Sequence, residues 1–74
     1  MNKKRKENIK LIRKNIEKIA ENLRTLLDEE QEYYDNIPEN LQGCIRASES
    51  EDSIDILEEC IENLENIINK MMEI

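Results

Sequence analysis

The chain has no His, no Trp and no Phe, and holds only two Tyr, two Cys, one Gly and one Pro among its 74 residues. Each shortage closes a door. Without His, the commonest general base and metal ligand is missing. Two Cys alone cannot complete a four-ligand zinc site within one chain. A single Gly rules out the glycine-rich loops that cradle phosphates. No apolar run approaches the ~20 residues of a membrane span. The Lys-rich start resembles the head of a signal peptide, but charges recur at Lys10, Arg13, Lys14, Glu17 and Lys18 and leave no apolar segment behind it. A cytoplasmic protein is therefore expected. Carboxylates abound, yet no pair sits in an apolar stretch that would fit one of them for acid–base work. The expectation is a protein without enzymatic activity, metal or cofactor.

What the chain does have is charge and period. The net charge is −7, unevenly spread. Residues 1–18 hold eight of the eleven basic residues against Glu7 and Glu17, and the other 56 residues hold 16 acids against Arg24, Arg46 and Lys70. Apolar residues recur at Ile9, Ile12, Ile16, Ile19, Leu23 and Leu26 in steps of three and four, a heptad seam on a helix. A second seam runs through Ala47, Ser50, Ile54, Leu57, Ile61, Leu64, Ile68 and Met71. Between them, Pro38 disfavours helical geometry at Ile37, and Gly43 suits a left-handed closing residue. These signals predict an all-α protein, an antiparallel two-helix hairpin of coiled-coil type. The predicted bounds are a helix over 7–36, a turn over 37–44 and a helix over 45–73, with 1–6 frayed. Ser48 with Glu51 offers a capping box as a later start.

In an antiparallel hairpin, residues of one layer have a constant number sum. Ile9 with Met71, Ile12 with Ile68, Ile16 with Leu64, Ile19 with Ile61, Leu23 with Leu57 and Leu26 with Ile54 all give 80. The next layers are Glu30 with Ser50, polar on polar, and Tyr33 with Ala47. Glu30–Ser50 is either a register device or the place where the core frays. Arg13 is expected beside Glu65. If Cys44 and Cys60 share the second helix, they lie about 24 Å apart, too far for a disulfide, so two reduced thiols are expected.

Two further columns widen the seams: Ala20, Leu27 and Tyr34 on the first helix, Cys60, Ile67 and Ile74 on the second. Heptad position sets them on opposite flanks, where self-association into a four-helix bundle would bury them. A homo-oligomer is expected, with these six residues as candidate contacts. At the turn, Tyr33, Tyr34, Asn36, Pro38, Leu41 and Arg46 are candidate interaction residues, because Tyr and Arg favour interface hot spots; the plainer reading is that Tyr33 and Leu41 plug the end of the core. The column Lys6, Lys10, Lys14 and Lys18 suits phosphates, but with no interleaved aromatics and a negative total, nucleic-acid binding is not favoured. The carboxylates Glu51, Asp55, Glu58, Glu59, Glu62 and Glu65 form a candidate DNA-mimic face.

The run Glu29-Glu30-Gln31-Glu32-Tyr33-Tyr34-Asp35-Asn36-Ile37-Pro38-Glu39-Asn40-Leu41-Gln42-Gly43, with Ile54-Asp55-Ile56-Leu57-Glu58-Glu59-Cys60-Ile61, resembles a family of short acidic proteins of phages and prophages of low-GC Gram-positive bacteria. That family usually carries Ser where Cys44 stands, and the basic head is not part of its pattern. It has no assigned activity, so the resemblance implies a source and little chemistry. The leading expectation is a small non-catalytic interaction protein that binds and modulates a host or phage protein. The alternatives are an acidic DNA-mimic inhibitor of a nucleic-acid-binding protein, and a small-ligand (nucleotide) sponge formed between protomers.

Overall fold

The first helix, α1, spans Lys3–Asp35 in the computed structural model, which describes all 74 residues. It starts earlier than the basic head suggested, because Asn2 caps it. The Asn2 side chain accepts a 2.8 Å hydrogen bond from the Arg5 backbone N–H, the residue type and geometry of a good N-cap. The helix stops where Pro38 forbids its continuation, with Asn36 as C-cap. A short 3-10 turn, Glu39–Leu41, follows Pro38. The second helix, α2, spans Ile45–Met71.

Gly43 does not act as expected, and Ser48 is not the start of α2. No residue has positive φ, Gly43 included. The turn closes through Gln42 instead: its side-chain amide donates to the Ile37 carbonyl at 3.0 Å and to the Tyr34 carbonyl at 3.5 Å. Carbonyls left over at the end of α1 are thereby satisfied without a left-handed residue. Cys44 is the N-cap of α2 but makes no side-chain capping bond, and Ser48 lies inside the helix, its N–H bonded to the Cys44 carbonyl.

The two helices pack antiparallel into a rod 59 Å long and 15 by 13 Å across. The register rests on one bond: Ser50 Oγ donates to Glu30 Oε2 at 3.2 Å, a pair whose numbers sum to 80. The α2 seam lies inward as expected. Ala47, Ser50, Ile54 and Ile61 are buried, and Leu57, Leu64, Ile68 and Met71 half-buried.

On α1 the expected seam is half right. Ile9, Ile16, Leu23 and Glu30 are inward and half-buried, but Ile12, Ile19 and Leu26 are each about half exposed, and Tyr33 is 44% exposed. Arg13, Ala20, Leu27 and Tyr34 take their places. The physical reason is size. α2 offers large Ile residues at 54, 61 and 68, and a small residue opposite lets the axes approach. Ala20 and Ala47 are both fully buried, and Ala20 shares a hollow with Ile68.

Candidate interaction surface

Turning α1 by one column decides what remains uncovered. Its apolar stripe is three columns wide: Ile9, Ile16 and Leu23 in the middle, Ala20, Leu27 and Tyr34 on one flank, Ile12, Ile19, Leu26 and Tyr33 on the other. α2 covers the middle and the first flank. The second flank stays open.

The candidate oligomer contacts divide accordingly. Ala20 is fully buried and Leu27 and Tyr34 are half-buried between the helices, so they face the partner helix and not outward, which corrects their assignment. Cys60 and Ile67 are exposed. Ile74 lies past the end of α2, in a hollow at the open end shared with Lys3, Lys6 and Lys10.

The two columns left open, Ile12–Ile19–Leu26–Tyr33 on α1 and Cys60–Ile67 on α2, lie on one side of the rod. Near the tip, Leu26, Glu29 and Tyr33 of α1 line a common groove with Arg46, Glu49, Ser53 and Leu57 of α2. Leu26 and Tyr33 belong to the open column of α1. Arg46 and Ser53 are heptad equivalents of Cys60 and Ile67. Extended along the rod, this side carries Ile12, Ile19 and Leu26 beside Cys60 and Ile67, with Ile56 at its margin. These five isoleucines and leucines are 47–60% exposed. The margin on α1 is Asn8, Asn15 and Asn22, so the middle of this side is free of charge. A monomeric soluble protein seldom leaves so long an apolar strip uncovered.

The reverse side is charged. Arg24 forms an ion pair with Glu65 across the seam, in a hollow lined also by Ala20, whose small side chain leaves room for the crossing. Glu65 thus pairs with Arg24, not with Arg13 as expected. Arg13 turns to Glu17 of its own helix at 3.7 Å. That is near enough for attraction but too long for a hydrogen bond, and the Arg13 Nε is buried without a partner. Glu51, Asp55, Glu58, Glu59 and Glu62 are exposed on α2, away from the apolar side.

At the tip, Tyr33, Asn36, Pro38, Leu41 and Arg46 do gather around one shallow hollow, with Ile37 and Cys44. Tyr34 is not among them. Tyr33 and Leu41 stay 44% and 48% exposed and so do not plug the core. Gln42, which ties the tip together, is invisible to hydropathy; a side-chain amide in a tight turn was the only sign. Both cysteines are free, no three carboxylate or thiol groups converge on a point that could hold a metal ion, and no helix is long and apolar enough to cross a membrane. Comparison with protein-family models, with curated proteins and with solved structures finds no match.

Proposed function

We propose that this chain is a non-catalytic interaction protein, encoded by a phage or prophage, that works by docking its apolar side onto protein. One observation carries the reading: Ile12, Ile19, Leu26, Ile56 and Ile67, all exposed, share one side whose middle is uncharged, while the Arg24–Glu65 pair crosses the other. An apolar strip with a polar margin is the layout of a protein-binding surface. Its target is a host or phage protein whose activity the hairpin modulates.

The test is capture with a matched control. Tethered wild-type protein and the Ile56→Glu variant are exposed to lysate of a low-GC Gram-positive bacterium. A protein held by the wild type and lost by the variant supports the reading. Identical captures by both overturn it.

A second reading, DNA mimicry, draws on the exposed carboxylates Glu51, Asp55, Glu58, Glu59 and Glu62, spread over about three turns of α2 on one outer side. Its test is competition: duplex DNA displaces the protein from a nucleic-acid-binding partner if the carboxylates stand in for phosphates. A nucleotide sponge has less support, because the tip hollow is shallow and offers Arg46 as its one cation.

A further inference from the structure

We propose that the occupant of the apolar side is a second copy of this chain, seated end for end, so that two hairpins form a four-helix bundle with their tips at opposite ends. This rests on the reading above that the side docks onto protein, and gives the side to a copy in place of a host or phage protein.

Three observations point to a copy in that orientation. The first is the width of the α1 stripe. In a four-helix bundle each helix has two neighbours and needs two seams. α1 has two, sharing the column Ile9–Ile16–Leu23, and the hairpin uses one. α2 likewise keeps Cys60 and Ile67 beside its used seam. Both spare seams open on the same side, as a second hairpin requires.

The second is charge. The open end of the rod contains residues 1–18 and 62–74, with nine basic residues against five acids. The tip contains residues 28–52, with nine acids against Arg46. Two copies with tips together would set like charges side by side. Turned end for end, each basic end lies against an acidic tip. The apolar side itself follows this rule: Arg5 and Lys70 stand at the open end, Glu29 and Glu49 at the tip.

The third is self-complementarity. The open column of α1 reads Arg5, Ile12, Ile19, Leu26, Tyr33. Reversed about Ile19 it meets itself: Ile12 against Leu26, and the Arg5 guanidinium against the Tyr33 ring, a favourable cation–aromatic pairing. At the level of Ile19 on α2 stands Cys60. Reversal about Cys60 brings Ile67 to Ser53 and sets Lys70 one residue from Glu49. One twofold axis, perpendicular to the rod between Ile19 and Cys60, serves both helices. The side measures 59 by 15 Å between backbone extremes, on the order of 900 Å², enough for the ~800 Å² each partner gives to a standard interface.

The experiment measures solution mass by light scattering across the micromolar range, under reducing conditions. The expected mass is twice the 8.8 kDa of one chain. Ile19→Glu, on the open column, is expected to return it to 8.8 kDa with helical circular dichroism retained. A wild type at 8.8 kDa at every concentration, or a tetramer, overturns the proposal. Orientation is read with the Cys44→Ser variant, whose only thiol is Cys60. Mild oxidation with diamide is expected to link the two Cys60 across the twofold into a covalent dimer; a dimer that stays unlinked overturns the end-for-end arrangement. Should Ile19→Glu unfold, the Cys60 link still decides. An apolar dye separates this proposal from the reading beneath it. A monomer that binds the dye through this side leaves the side free for a different protein. A monomer whose dye binding is unchanged by Ile19→Glu removes both.

Discussion

The Ser50 hydroxyl donates a 3.2 Å hydrogen bond to the Glu30 carboxylate across the two helices, with Ser50 almost wholly buried. It is the one side-chain hydrogen bond between the helices in the half of the rod nearer the tip, and it sits where the apolar layers give out. A lone polar layer penalises slipped pairings, since a slip leaves the hydroxyl and carboxylate facing apolar neighbours. A double-mutant cycle with Glu30→Ala and Ser50→Ala, followed by urea denaturation, is expected to show a coupling of about 0.5–1.5 kcal/mol. Ser50→Ala alone moves stability less, because a better helix former offsets part of the lost bond. Strictly additive effects of the two substitutions refute a register role.

Inward and outward isoleucines should respond differently. Ile54 and Ile61 are each 7% exposed, whereas Ile12 and Ile19 are about half exposed within a hairpin. Ile54→Ala or Ile61→Ala opens a cavity in a thin core and is expected to cost ~2–4 kcal/mol, a large share of the stability of so short a chain. For Ile12→Ala or Ile19→Ala, loss within one hairpin is small, under about 1 kcal/mol. Any further loss in thermal melts should grow with protein concentration, because it arises between chains. A concentration-independent loss at Ile19 as large as that at Ile61 contradicts the inward and outward assignment.

How much of this was legible in the sequence depends on the helix. On α2 the third column holds only Cys60, Ile67 and Ile74, so the two fuller columns decide the pattern, and every seam residue from Ala47 to Met71 lies inward. On α1 there are three columns, and periodicity alone does not say which pair faces the partner. Counting large side chains favours Ile12, Ile19 and Leu26. Packing favours Ala20, because the bulky isoleucines of α2 need a small neighbour. That preference depends on both helices at once, so reading α1 by itself misses it. The error then propagates: the column taken for a spare surface is interior, and the column taken for core is the candidate interface. The tip was legible in outline, through Pro38, but not in its chemistry. The left-handed closure expected at Gly43 is unnecessary once Gln42 binds the Tyr34 and Ile37 carbonyls.

Arg13 is the clearest misfit in the hairpin. It occupies an inward column, its Nε is buried without a hydrogen-bond partner, and Glu17 at 3.7 Å offers only attraction. A buried donor left unsatisfied costs about 1–3 kcal/mol, partly relieved here because the side chain is 23% exposed. Arg13→Leu removes that donor and continues the column of Ala20 and Leu27. It is expected to raise stability by about 0.5–1.5 kcal/mol, seen as a higher urea midpoint with an unchanged slope. A lower midpoint shows that the guanidinium is better satisfied in solution than its surroundings in the fold suggest.

Gly43 offers the last test, because its substitution separates a conformational need for glycine from mere tolerance of it. Its φ is not positive, and a Cβ built on it meets nothing within 4 Å. Neither backbone strain nor space therefore demands glycine there. Glycine loosens the unfolded chain more than alanine does, so Gly43→Ala is expected to stabilise the fold by roughly 0.4–1 kcal/mol. Had the residue closed the turn in the left-handed region, the same substitution would destabilise by more than that. Thermal unfolding of the variant beside the wild type, at equal concentration, reads the sign directly: a lower melting temperature restores the left-handed closure and displaces Gln42 as the group that ties the tip.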